Sequence, residues 1–205
     1  MSSRLRGLYA ITDSTLSPHS QLLVAAEQAI HGGARIIQYR DKSDQPSRRR
    51  QEAEALLTLC HQHGVTFIIN DDVALATAIG ADGVHLGRGD GTVKETRQQL
   101  RDGIIGLSCY NEWALAEAAA RDGADYIAFG AFFPSATKPA AVHATPELLL
   151  RSRHELNLPV VAIGGITPEN GADLIAAGAD MLAVVQGVFG QPDIQSAARR
   201  YAALF

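Results

Sequence analysis

Two cations with a carboxylate between them, Arg40, Asp41 and Lys42, follow at once on an apolar run that begins Ile36-Ile37, with Gln38 and Tyr39 at the junction. Side chains of this kind at the end of a buried strand form a grip for an anion. The same event recurs along the chain. Phe67-Ile68-Ile69 gives way to Asn70-Asp71-Asp72, and Val84-His85-Leu86 to Gly87-Arg88-Gly89-Asp90. Ile104-Ile105-Gly106-Leu107 ends at Ser108, Phe132-Phe133 leads to Ser135-Ala136-Thr137-Lys138, and Val160-Val161-Ala162-Ile163 ends at Gly164-Gly165. Chemistry-bearing residues thus collect at one set of strand ends.

Asn70-Asp71 and Asp90 place oxygen donors at neighbouring strand ends, a donor set suited to Mg²⁺ when a phosphate-rich ligand completes the shell. Asp71 or Asp72 would serve equally as the cap of a following helix, and the two uses are compatible. A single surface lysine is ordinarily just solvated. Arg40, Lys42 and Lys138 converging beside a metal would instead neutralise a diphosphate, with Ser108 offering a hydroxyl between them. A second, milder anion site is expected at Gly164-Gly165-Ile166-Thr167-Pro168 and Val185-Gln186-Gly187, where glycine-freed backbone N–H groups and Pro168 at a first helical position suit a phosphate. The same glycines also fit a plain strand-to-helix turn. Two anion sites imply two phosphorylated ligands, or one long one.

Other chemistry-bearing residues carry less. Cys60 and Cys109 are far apart, match no metal-ligand spacing and read as reduced, packed thiols. Cys109 has no well-placed base, since His85 is a weak candidate and reads as a satisfied core histidine. His19, His31, His61, His63, His143 and His154 read as solvated, and Trp113 as a packing residue that opens a helix.

The elements that would position the strand-end residues are legible in the pattern. Apolar, β-branched runs of strand length occupy 8–12, 36–40, 66–70, 83–87, 104–108, 126–131, 160–164 and 181–186. Helical periodicity lies between them, clearest at 22–31, 48–62, 112–121, 146–155, 168–177 and 194–204. Gly32-Gly33-Ala34-Arg35, Gly80-Ala81-Asp82, Gly123-Ala124-Asp125 and Gly178-Ala179-Asp180 each precede a strand, so glycine is expected as a left-handed cap closing a repeated unit. Strands apolar on both faces belong to a parallel sheet covered by helices. Eight such units close a single-domain (β/α)₈ TIM barrel over residues 1–205, in preference to an open doubly wound sheet, because no strand is suited to an edge. The strand C-terminal ends would then form one active-site face.

Composition bounds the partners. The chain has 205 residues, 46% hydrophobic and 20% charged, which fits a globular domain with a sizeable core. A formal net charge of −4 argues against a nucleic-acid surface and assigns the clustered cations to a small anionic ligand. No apolar stretch approaches the ~18 residues of a membrane span, and Met-Ser-Ser-Arg-Leu-Arg lacks a signal's apolar core, so a cytoplasmic address is expected. Homo-oligomerisation stays open.

The ordered motifs Tyr9-Ala10-Ile11-Thr12-Asp13, Gln38-Tyr39-Arg40-Asp41-Lys42, Ile69-Asn70-Asp71, Ala81-Asp82-Gly83-Val84-His85-Leu86-Gly87, Thr137-Lys138 and Val161-Ala162-Ile163-Gly164-Gly165-Ile166 resemble the thiamine-phosphate synthase family over the whole chain. The resemblance implies a transferase of thiamine biosynthesis that joins a hydroxymethylpyrimidine diphosphate to a thiazole phosphate and releases diphosphate. It implies that Gln38, Arg40, Lys42, Asn70, Ser108 and Lys138 hold the pyrimidine diphosphate. By the same resemblance Asp71 and Asp90 hold Mg²⁺, and Ser135, Thr137, Gly165, Val185 and Gln186 hold the thiazole phosphate. Arg40, Lys42, Lys138 and Ser108 would assist the departing group, and Asp41 would brace the cations beside it. The chain departs from the commoner pattern at Arg88, Gln186 and Ser135-Ala136. A thiazole tautomerase of the same fold is the nearest alternative, and Tyr110, standing where that group carries a histidine, speaks against it with Lys42, Asp71 and Asp90. A non-catalytic phosphate-binding barrel is the third reading.

Overall fold

A computed structural model describes residues 5–134 and 142–205. Eight parallel strands close a barrel in sequence order: β1 (Gly7–Ile11), β2 (Ala34–Tyr39), β3 (Thr66–Asn70), β4 (Gly83–Leu86), β5 (Ile104–Tyr110), β6 (Tyr126–Gly130), β7 (Val160–Ile163) and β8 (Met181–Val184). β8 pairs back onto β1, so no edge is left to template association. The (β/α)₈ expectation holds in the described residues, and every strand falls within about two residues of its expected place.

Around the barrel lie α1 (Leu22–His31), α2 (Pro46–Gln62), α3 (Val73–Ile79), α4 (Val93–Gln99), α5 (Trp113–Asp122), α6 (Pro146–Glu155), α7 (Gly171–Ala176), a short α8 (Gln186–Phe189) and α9 (Ile194–Ala202). Three of these, α3, α4 and α8, are absent from the periodicity reading, and each spans seven residues or fewer. Two carry cap signals nonetheless. The Asp72 side chain accepts from Leu75 N–H, and Thr92 with Glu95 forms a reciprocal capping box.

The expected glycine caps divide into two kinds. Gly80 and Gly123 end α3 and α5 in the left-handed conformation. At α1 and α7 the caps are Gly32 and Ala177, both right-handed, and the positive φ falls one residue later, on Gly33 and Gly178. Pro168 does not open α7. It sits in a turn, and the helix starts at Gly171.

Period-two alternation sorts the strand side chains into two cores. Leu8, Ile37, Phe67, Ile69, Val84, Ile105, Ile127 and Leu182 pack outward against the helices. Tyr9, Ile11, Ile36, Ile68, Tyr126, Val161, Met181 and Ala183 fill the barrel. By that parity Gln38, Asn70, His85 and Ser108 stand on the inward side, near the C-terminal ends of β2, β3, β4 and β5. Gly106 makes room for this filling, since a Cβ there would lie 1.9 Å from the Tyr126 ring. Among the described residues no helix is long and apolar enough to cross a membrane.

Candidate active site

The alternation of β2 separates the residues of the cationic segment. Tyr39 turns outward to α2, where its hydroxyl donates to Glu52 at 2.6 Å, and Asp41 follows it. Asp41 accepts from Arg48 at 2.9 Å and from the Ser43 N–H at 2.6 Å, so it braces Arg48 of α2 and not Arg40 or Lys42. Gln38 points into the barrel, and Arg40 leaves the strand end toward Asp13, which its guanidinium meets at 3.1 Å. Hydrogen bonds from Thr15 and the Arg40 charge hold the Asp13 carboxyl below the usual range against the opposing effect of burial. The pairing of Asp13 with Arg40 spans 27 residues and has no local signal in the sequence.

At the ends of β3 and β4 the acidic residues converge. Asp71 adopts φ 64°, an uncommon left-handed conformation for a residue with a side chain. Its N–H donates to the His85 carbonyl at 2.8 Å, and Lys42 is ion-paired to its carboxylate. Asp90 accepts from Gly87 N–H at 2.8 Å. A Cβ built on Gly87 would have Asp90 Oδ2 at 2.9 Å, Tyr110 Oη at 3.7 Å and Asp71 Oδ1 at 3.9 Å, so the two carboxylates face one another across this glycine. Partial burial and then the hydrogen bond and charge of Asp71 push the Asp90 carboxyl upward. Two facing carboxylates, with Lys42 as their cation, form a donor set that fits a hard divalent cation. Asp72 is occupied as the cap of α3 and by Arg49 at 2.9 Å, which leaves Asp71 as the candidate of that pair for the expected metal role.

Tyr110 also has φ above zero, 54°, beyond a register shift in β5. Its hydroxyl accepts from Arg88 N–H at 2.9 Å, and the Arg88 guanidinium lies 4.9 Å from its ring centre. Arg88 also pairs with Glu112 and is exposed, so its charge is spent on the loop beside the site.

Below the acidic pair a chain of hydrogen bonds crosses the barrel. Gln38 Nε2 donates to Tyr9 Oη at 2.7 Å, Tyr9 and Tyr126 hydroxyls lie 2.9 Å apart, His85 Nδ1 is 2.9 Å from Tyr126 Oη, and His85 Nε2 is 2.8 Å from Ser108 Oγ. The His85 ring stacks on Tyr126 with centroids 5.6 Å apart. Burial drives the His85 pKa down to about 4 and pushes both tyrosines well up, so the whole chain is neutral at physiological pH. The expectation of a satisfied core histidine is met, but its partners join two expected site residues. Nothing in the residue pattern marks this hydrogen-bond chain beyond the inward parity of its members. Burial raises both thiols to about 12, consistent with packed cysteines.

On the far side, Gly164 and Gly165 follow β7 with φ 101° and 61°. A side chain at Gly165 would sit 2.5 Å from the Pro134 carbonyl oxygen and 2.7 Å from Phe133 Cβ. Val185 caps α8, and Gln186 is exposed at its first position. A short extra helix after the last strand, facing the loop after β7, is the usual frame for phosphate in such barrels. Ser135, Thr137 and Lys138 lie outside the described residues. Of the expected histidines, His19 and His61 are not merely solvated, since they meet Glu52 at 2.7 Å and Asp82 at 3.2 Å.

Comparison with known proteins agrees with this geometry. A family described as thiamine monophosphate synthase matches residues 8–188. A protein of Thioalkalivibrio sulfidiphilus named thiamine-phosphate synthase is 53% identical over 203 residues, covering 98% of this chain and 96% of that one. Its namesake in Nitrosococcus oceani is 53% identical over 202 residues, with 98% and 93% covered. A solved structure, the thiamine phosphate pyrophosphorylase from Pyrococcus furiosus, superposes with a TM-score of 0.88 at 32% identity, covering 98% of this chain and 95% of that one.

Proposed function

The chain belongs to the thiamine monophosphate synthase family, and from that membership we propose that it condenses 4-amino-2-methyl-5-hydroxymethylpyrimidine diphosphate with 4-methyl-5-(2-hydroxyethyl)thiazole phosphate. The products are thiamine phosphate and diphosphate. The observation that carries the reading is the meeting of Asp71, Asp90 and Lys42 at the ends of β3 and β4, beside the inward-facing Gln38 and Ser108.

The reaction breaks the bond between the pyrimidine methylene carbon and a diphosphate oxygen, whose electron pair leaves with the diphosphate. The aminopyrimidine delocalises the positive charge left on the methylene. The thiazole nitrogen lone pair then forms the new C–N bond and leaves the ring as a thiazolium. No proton changes hands, which accords with neutral His85 and with thiols that burial keeps protonated.

The chain's own groups act on the leaving group and on alignment. Lys42 exchanges the Asp71 carboxylate for a diphosphate oxygen, and Arg40 swings from Asp13 to a second one. Asp71 and Asp90 would hold Mg²⁺, which would offset the charge that builds on the departing diphosphate. Gln38 and Asn70 orient the pyrimidine, and Ser108 donates toward the diphosphate. Lys138, which follows β6 in sequence, adds a further cation. Gly165, Val185 and Gln186, with Ser135 and Thr137, hold the thiazole phosphate chiefly through backbone N–H groups. The tautomerase alternative is disfavoured because Tyr110 holds the Arg88 backbone where that chemistry would require a histidine.

The test is diphosphate release on mixing both phosphorylated substrates with Mg²⁺. Release that needs all three components supports the assignment, and a thiazole tautomer change without the pyrimidine substrate would replace it.

A further inference from the structure

The hydrogen-bond chain from Gln38 to Ser108 has a direction. A phenol or an alcohol donates one hydrogen, and a neutral imidazole carries its proton on one nitrogen only. Each member that accepts on one side therefore donates on the other. At the Gln38 end the amide nitrogen is a donor with no acceptor character, so Tyr9 accepts from it. The Tyr9 hydrogen must then go to Tyr126, the Tyr126 hydrogen to His85 Nδ1, and the His85 proton must sit on Nε2, facing Ser108 Oγ. Ser108 accepts there, and its own hydrogen is free for the pocket. Rotating the Gln38 amide by half a turn would reverse every link, with His85 protonated on Nδ1 and the Ser108 hydrogen spent on Nε2.

We propose that Tyr9, Tyr126 and His85 are positioning residues that lock together what Gln38 and Ser108 present to the substrate: an amide oxygen that accepts at Gln38 and a hydroxyl that donates at Ser108. The two ends do not touch each other, and the coupling runs through three side chains on β1, β6 and β4. The barrel is built around the chain, since Gly106 alone leaves room for the Tyr126 ring and the Tyr126 ring stacks His85. Resting on the proposed function, the polarity selects a ligand with a donor at one end and an acceptor at the other. An amino-substituted pyrimidine bearing a diphosphate meets both demands, and the corresponding oxo-pyrimidine, with an acceptor in place of the amino group, meets one.

Two measurements test this on the full-length protein. Nitrogen-15 spectra of ring-labelled histidine, with the His85 signal assigned by its loss in His85→Gln, are expected to show the Nε2–H tautomer at neutral pH. The Nδ1–H tautomer or an imidazolium would overturn the proposal. In steady-state kinetics Tyr126→Phe is expected to lower kcat/KM for the pyrimidine diphosphate about tenfold, the scale of one buried hydrogen bond, with KM for the thiazole phosphate unchanged. It should also erode the preference for the amino over the oxo substrate. The double variant Tyr9→Phe/Tyr126→Phe should be no worse than the single, because a chain already broken cannot be broken again. Additive losses, or equal rises in both KM values, would mean that the tyrosines only pack. Wild-type protein with the Nε2–H tautomer but no diphosphate release would remove the functional reading and leave the polarity standing. Turnover with the Nδ1–H tautomer would do the reverse.

Discussion

The two ends of the candidate active-site face offer an anion different groups. At β3 and β4 the groups are side chains with full charges: Asp71 held at positive φ, Asp90 pushed upward by burial and by its neighbour, and Lys42 paired to Asp71. At β7 and β8 the described groups are a pair of glycines and the short helix α8, with Gln186 exposed. The difference matches what each phosphate must do in the proposed reaction. The diphosphate gains charge as it leaves and needs cations whose stabilisation grows along the reaction path. The thiazole phosphate is unchanged by the chemistry, so a backbone cradle that holds it equally throughout suffices.

The largest expected effect breaks the charged end. Asp71→Asn keeps the shape and tolerates the left-handed backbone, and it removes a charge worth several kcal/mol in metal-assisted leaving-group departure, so turnover should fall at least about 100-fold. A Mg²⁺ titration of diphosphate release in this variant that matched wild type would refute the metal assignment. At the backbone end Gly165→Ala should act on binding and packing instead. Its Cβ would meet Pro134 oxygen at 2.5 Å, so a stability loss of about 1–3 kcal/mol is expected together with a raised KM for the thiazole phosphate alone. Urea unfolding and two-substrate kinetics read both, and a raised KM for the pyrimidine diphosphate would show that the two ends are not separate.

Under the charged end, His85 supplies a pH signature. Its folded pKa of about 4 lies below the ordinary value of 6.5, so the unfolded chain binds the extra proton first as pH falls. The stability that this neutral His85 contributes is fully present above pH 6.5 and is lost toward pH 4, at up to about 1.4 kcal/mol per pH unit. His85→Gln should flatten that part of the profile relative to wild type, and identical slopes in urea melts would contradict it. The smallest effect belongs to Gln186→Ser, where an exposed side chain beside a backbone cradle should change the thiazole phosphate KM by less than about twofold.

The barrel was legible because eight apolar runs carry their own local signal, and the strand ends named Gln38, Arg40, Lys42, Asn70, Asp71, Asp90 and Ser108 together. Short helices escaped, since α3 and α4 offer too few turns for periodicity to register, although Thr92 and Glu95 spelled a capping box. The role of Asp41 was misread because a segment written in one line splits across two faces of a strand. The interior chain was illegible for a related reason. Tyr9 meets Tyr126 across 117 residues and His85 meets Tyr126 across 41, and only barrel closure brings those positions together.

The most direct measurement is diphosphate release from the pyrimidine diphosphate by the wild-type protein, with the thiazole phosphate and Mg²⁺ each omitted in turn. The account predicts stoichiometric diphosphate and thiamine phosphate when all components are present, and loss of turnover when either is left out. Full turnover without Mg²⁺, or no diphosphate from the complete mixture, would contradict it.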